Sequence, residues 1–272
     1  MQYGSNSMAD AHGTYDVQRW VGSGATSAED MVAEEVPVAL VYNGFSHAVM
    51  MATPQDLEDF ALGFSLSEGV VENVREIYDL DVVEHATGHE VQMRLAGERF
   101  SAMRGRRRAM AGRTGCGLCG VESLEQIVCR PTPVVGAGAN VAAGAILRAQ
   151  SELQSMQHLF HLTGAVHGAA WCRSDGAVEL VREDVGRHNA LDKLIGAVAA
   201  QQKSFGEGFV LMTSRASYEI VQKAAAVGIA VVAAVSAPTG MAVRVAQAAG
   251  VTLIGFARGE RHSVYSHPER VH

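Results

Sequence analysis

Two cysteines two residues apart, Cys116 and Cys119, sit in the run Arg113-Thr114-Gly115-Cys116-Gly117-Leu118-Cys119-Gly120. That spacing brings both sulfurs to one place, and the three glycines let the loop expose them. A structural zinc site would want a second ligand pair, and Cys129 and Cys172 do not form one at finger-like spacing. A thioredoxin-like dithiol sits at a helix start just after a strand, whereas a basic, helix-like segment precedes this loop. The third chemistry is a thiol nucleophile or sulfur carrier. Arg104, Arg106, Arg107, Arg108 and Arg113 lie just upstream. Guanidinium charge favours a thiolate over a thiol and attracts anionic ligands. Any one of these arginines is explained by a solvated helix face, but the cysteine pair beside all five favours thiol chemistry.

A second cluster is Arg182-Glu183-Asp184-Val185-Gly186-Arg187-His188-Asn189, running into a helix. An acid, a glycine turn, an arginine and a histidine at one helix start suit binding a base or ribose, or moving a proton. Asp184 read alone is a cap and His188 a satisfied polar group, and His161 and His167 read as structural. Three strand ends follow, at Thr213-Ser214-Arg215-Ala216-Ser217, Ser236-Ala237-Pro238-Thr239-Gly240 and Ala257-Arg258-Gly259, with Arg261 beyond. Ser214, Ser217 and Thr239 are each ordinary N-caps when taken singly. Three such loops on one edge, two with an arginine, point to a nucleotide-like anion at helix N-termini.

The elements that must carry these residues fall into two rhythms. Residues 1–33 are polar, rich in Gly and Ser, and read as a loose arm. Residues 34–121 read as a small α+β unit: Val36–Tyr42 and His47–Thr53 flank Asn43-Gly44, a hairpin signal. Thr53-Pro54 then opens a helix, and strands follow at Glu76–Val83 and Glu90–Leu95. Residues 122–272 alternate helices with short Val/Ile/Ala/Leu runs at Gly164–Cys172, Phe209–Thr213, Ala230–Val235 and Val251–Phe256. A helix runs from about Ala142 to Leu162, and others span Asn189–Ala200, Ser217–Val227 and Met241–Ala249. That alternation predicts a three-layer α/β domain with its sheet buried on both faces.

The chain has 272 residues, 48% of them apolar and 19% charged, ample for a core. Residues 1–93 carry a net charge of −14 and residues 94–272 a net +7. This excludes a uniformly basic nucleic-acid coat and leaves room for a local anion site. Four cysteines are too few for a disulfide-built scaffold. No signal peptide or membrane-spanning run is visible, so a cytoplasmic protein free of membrane and nucleic acid is expected.

Taken together, Gly112–Gly120, Thr163-Gly164-Ala165-Val166-His167, Glu183–Lys193, Thr213–Ser217 and Phe256-Ala257-Arg258 resemble the FdhD/NarQ family of formate dehydrogenase accessory sulfurtransferases, in the family's order over roughly residues 35–270. The resemblance implies a cytidine-deaminase-like C-terminal domain and a homodimer. It implies a cysteine, here Cys116 with Cys119 as companion, that takes sulfur from an IscS-type cysteine desulfurase. That sulfur goes to the molybdenum cofactor, in its bis(molybdopterin guanine dinucleotide) form, before insertion into formate dehydrogenase. Phe256, Ala257, Arg258, Gly259, Glu260 and Arg261 match the cofactor-binding segment. Ser214, Arg215, Ser217, Thr239, Arg187 and His188 are the further residues expected to hold the nucleotides, and no resident metal is expected. Two other functions stand beside this one: a chaperone that only binds the cofactor, and a zinc deaminase. The latter lacks its H-x-E and P-C-x-x-C residues at the helix starts His188-Asn189-Ala190 and Ser214–Ser217.

Overall fold

The computed structural model describes residues 11–108, 133–134 and 139–272. Its centre is a six-stranded mixed sheet built from the second half of the chain. The strands are β7 (His167–Arg173), β8 (Val178–Asp184), β9 (Gly208–Met212), β10 (Val231–Ala234), β11 (Thr252–Arg258) and β12 (Arg261–Ser266), in the order β12-β11-β10-β9-β7-β8. The three adjacent strands β9, β10 and β11 run parallel, and the other pairings are antiparallel.

Side chains alternate across a strand, and here both faces are apolar. Val210 and Met212 join a cluster with helices α5 (Arg187–Ala200), α6 (Tyr218–Ala226) and α7 (Gly240–Ala249). Phe209 and Leu211, with the buried Cys172, join the opposite cluster around α3 (Ala143–Met156). Helices on both faces make the expected three layers.

The first half adds a four-stranded sheet in the order β4-β3-β6-β5. It comprises β3 (Val36–Tyr42), β4 (Phe45–Ala52), β5 (Ile77–His85) and β6 (Gly88–Leu95). The turn at Asn43 and Gly44 has positive φ at both residues, as the Asn-Gly signal predicts. One face of this sheet covers α1 (Leu57–Ser67), with Leu40, Tyr42, Val91 and Met93 packed into the same cluster as Phe60 and Phe64. Helix α2 (Gly97–Arg108) follows β6. The two halves are therefore joined through one continuous core rather than two.

Helices α1 and α5 meet backbone to backbone. A Cβ added at Gly63 would overlap the Asp192 carbonyl oxygen, and one added at Gly196 would overlap the carbonyl oxygen of Asp59. No side chain larger than hydrogen fits at either crossing point.

The structure departs from the sequence expectations in four places. Residues expected to form a loose arm instead make an antiparallel ribbon, β1 (His12–Val21) and β2 (Gly24–Ala33), turning at Gly22. Its polar composition hid it because neither face is deeply buried, and Trp20 remains 63% exposed. The ribbon is rooted by Ala11 against Leu159 and Val166. Helix α1 begins at Leu57, not at Pro54, because Thr53 and Gln55 are held by the second half of the chain. The helix expected to run to Leu162 breaks at Gln157, giving α3 and a short α4 (His158–Thr163). The residues after Ala257 continue β11 into a hairpin with β12 and do not form a strand-to-helix loop.

Replacing Gly196 by alanine should lower stability by about 3 kcal/mol through overpacking at the crossing. The urea midpoint of unfolding reads this directly, and an unchanged midpoint would refute the tight crossing.

Candidate functional site

Strand register decides which residues meet. The parallel strands β9, β10 and β11 all finish at one edge of the central sheet. Antiparallel pairing of Ala169 with Met212, and of His167 with Asp184, brings the start of β7 and the end of β8 to the same edge. The loops beyond are laced together: Val235 N–H donates to Met212 O (2.9 Å), Thr239 N–H to Ala216 O (3.1 Å) and Phe256 N–H to Ser236 O (3.1 Å). Ser214, Arg215, Ser217, Thr239, Arg187, His188, Phe256 and Arg258, four segments far apart in sequence, thus line one sheet edge.

Within that group the roles divide. Thr239 is the ordinary cap of α7, its hydroxyl accepting from Ala242 N–H at 3.2 Å. Ser214 is buried and donates to the Arg215 carbonyl at 3.0 Å, while Arg215 itself is exposed. Ala257 is fully buried in the core on the α3 side, so its side chain faces no ligand. Gly259 and Glu260 are the exposed turn between Arg258 and Arg261, which pair across the β11–β12 hairpin. Phe256 has φ +53°, a left-handed conformation that strains a residue with a side chain. The Arg258 guanidinium lies 5.7 Å from its ring centroid. Cys116 and Cys119, with Arg106–Arg108 and Arg113, have side chains outside those the structure describes.

Most of the acidic motif is used to bind the two halves of the chain together. The Asp184 carboxylate accepts from Thr53 N–H (3.0 Å), Gly186 N–H (2.7 Å) and Asn189 Nδ2 (3.0 Å), and pairs with Lys193 Nζ at 2.7 Å. Both ions of that pair are fully buried. Lys193 also donates to Thr53 O (2.9 Å), and Asn189 to Met51 O (2.8 Å). The Glu183 carboxylate accepts from Leu159 and Phe160 N–H, at 2.8 and 2.9 Å, at the start of α4. With every acceptor occupied, Asp184 is a structural anchor and has no free lone pair for a proton-transfer role.

The motif's other residues stay available. Arg187 Nε is buried with no partner among the described residues, and so is Gln157 Nε2, whose amide packs on Gly168 at the start of β7. Unpaired buried donors are costly and call for an acceptor. His188 Nε2 lies 2.8 Å from Glu219 Oε2 and 3.3 Å from Ser217 Oγ. The His188 hydrogen bond holds the Glu219 carboxyl below its ordinary range. Burial, then the Arg187 charge, pushes His167 below the usual imidazole value, so it stays neutral. Sequence reasoning missed Glu219 and Gln157. Glu219 carried a faint signal as an acid in the first turn after Ser217, while Gln157 was hidden inside the helix expected to run through it.

An arginine donor with no acceptor among the described residues, an exposed arginine and the N-termini of α5, α6 and α7 meet at this edge, and groups of these kinds suit an anion. Fold and edge together define a class: a three-layer α/β protein with arginines and helix N-termini gathered at one strand edge, fused through a shared core to a small α+β unit. The FdhD/NarQ family model matches residues 33–272, and the chain belongs to that family. It is similar to a protein of Cupriavidus necator named sulfur carrier protein FdhD, with 56% identity over 260 residues covering 96% of this chain and 90% of the relative. A protein of the same name from Bordetella petrii is 53% identical over 248 residues, covering 91% and 89%. The fold matches a crystal structure from Desulfotalea psychrophila, described as that of a formate dehydrogenase accessory protein, with a TM-score of 0.77 at 23% identity, covering 96% of this chain and all of that one. Among the described residues no helix is long and apolar enough to cross a membrane.

Lys193→Met, which strands a buried Asp184 carboxylate, should cost about 3–5 kcal/mol, and adding Asp184→Asn should recover part of it. Additive losses in chemical denaturation would refute the pairing. The His188 hydrogen bond holds Glu219 below the ordinary glutamate range when folded, so the pairing contributes stability above that range and loses it as pH falls through the lowered pKa. The stability deficit of His188→Ala should accordingly be full at neutral pH and shrink as pH falls through the lowered Glu219 pKa; a deficit independent of pH would exclude the His188–Glu219 hydrogen bond.

Proposed function

We propose that this protein is a sulfur carrier serving formate dehydrogenase. In this reading Cys116 accepts sulfane sulfur from an IscS-type cysteine desulfurase and delivers it to a bis(molybdopterin guanine dinucleotide) molybdenum cofactor before that cofactor enters the dehydrogenase. The cofactor is the substrate, handled by a cytoplasmic homodimer. The observation that carries the reading is the gathering of Arg187, His188, Arg215, Phe256 and Arg258 at a single strand edge, with the Arg187 Nε unpaired among the described residues. A diphosphate supplies acceptors for such donors, and the Phe256 ring offers a flat face to a base.

The loading step needs only a thiolate. The Cys116 sulfur attacks the outer sulfur of the desulfurase persulfide, a new S–S bond forms at Cys116, and the desulfurase cysteine departs as its own thiolate. Five arginines precede Cys116 in the sequence, and charge of that kind favours the attacking anion. The relatives named sulfur carriers support this assignment. Cys119 is the companion thiol.

Incubation with an active desulfurase and cysteine should add about 32 Da, the mass of one sulfur, to Cys116 in peptide mass spectra. Cells carrying Cys116→Ala should lose formate dehydrogenase activity. Full activity in that variant would replace the carrier with a chaperone that only binds and escorts the cofactor. Arg258→Ala should weaken binding of the guanine nucleotide while leaving Cys116 loading intact.

A further inference from the structure

Helices α5 and α6 lie side by side with two polar rungs between them. The inner rung is Asp192 with Lys223, 2.9 Å apart and almost fully buried, with Ser67 donating to Asp192 Oδ1 at 2.6 Å. The outer rung, one turn nearer the strand edge on both helices, is His188 with Glu219. The inner rung is fixed: burial would discharge Lys223, but the Asp192 and Glu68 carboxylates overcome it and push the ammonium up to about 12. The relative height of the two helices is thereby set, and the outer rung is held at the edge.

Ser217 gives a second sign. It occupies the N-cap position of α6 but makes no capping hydrogen bond, and its hydroxyl meets His188 Nε2 instead. A serine at that position normally caps the helix, so its rotamer here serves the imidazole. Two groups on α6 thus engage the same ring nitrogen. The other nitrogen, Nδ1, has no hydrogen-bond partner among the described residues. His167 from β7 lies within electrostatic reach of His188, and it also feels Arg187 and Asp184, whose carboxylate is already spent on Lys193.

We infer that Glu219 is a positioning residue of this edge: by accepting the Nε2 hydrogen it fixes the tautomer and orientation of His188, so that Nδ1 is offered to the incoming nucleotide. A ring held in this way presents a lone pair to the N–H groups of a base, or a second N–H to a phosphate once protonated. The inference rests on the nucleotide reading of the strand edge given above, and it names a residue outside the motifs that carry that reading.

The test uses the full chain with Glu219→Gln and Glu219→Ala, and guanosine diphosphate as the probe. Nitrogen-15 spectra of the His188 ring report the tautomer without any ligand, and titration calorimetry reports affinity. The neutral ring should hold its proton on Nε2 in the parent and in Glu219→Gln, which keeps an acceptor oxygen. In Glu219→Ala the ring should become a mixture of tautomers, and the dissociation constant for the nucleotide should rise about tenfold while Glu219→Gln stays within about threefold. An unchanged tautomer in Glu219→Ala overturns the inference, as does a changed tautomer with unchanged affinity. A parent protein that shows the Nε2–H ring but binds no guanosine diphosphate marks a failure of the nucleotide reading itself, and the positioning role falls with it.

Discussion

The backbone of α1 lies against that of α5 at Gly63 and Gly196, and this contact constrains everything built around it. Only at that separation can Ser67 reach Asp192, Thr53 reach Asp184 and Lys193 reach back to the Thr53 carbonyl. A buried lysine or aspartate is expensive unless its partner and its remaining hydrogen bonds are all in place. Closely packed helices supply that completeness, because they bring the Thr53 segment before α1 and the end of β8 within reach of α5. The result is a seam between the halves of the chain that is polar inside and apolar around, and which specifies one docking geometry.

That seam ends at the strand edge. Helix α5 carries His188 and Arg187 at its start, Asn189, Asp192 and Lys193 along the seam, and Gly196 at the crossing. One helix therefore links the close approach, the buried ion pairs and the candidate ligand groups. A displacement of α1 would be felt at Arg187 and His188 through the α5 backbone that carries Gly196.

Much of this was legible in the sequence, and the reasons for the remainder are physical. The continuous apolar runs of β9 to β11 announced a sheet covered on both faces, and Asn43-Gly44 announced its hairpin. The β1–β2 ribbon was illegible because its strands are mostly solvated on both faces and carry no alternating pattern. The start of α1 was misplaced because Thr53 and Gln55 bond to residues 130 positions away, and local propensity cannot register such partners. In the site, the sequence placed Asp184 and His188 in one motif and expected only His188 to hold a nucleotide. The structure separates them: one is enclosed by four donors, and the other keeps a ring nitrogen clear. Ala257 was marked by its neighbours in a motif, yet its side chain belongs to the core. Motif spacing locates a segment but does not say which of its side chains turn outward.

The left-handed Phe256 separates two kinds of fitness. Glycine would relax the backbone there, by about 1–2 kcal/mol, and erase the aromatic plate beside Arg258. Breeding this chain for heat resistance alone would therefore pull position 256 away from its aromatic identity, and a hardier molecule with a blunted receptor is what such a campaign would yield.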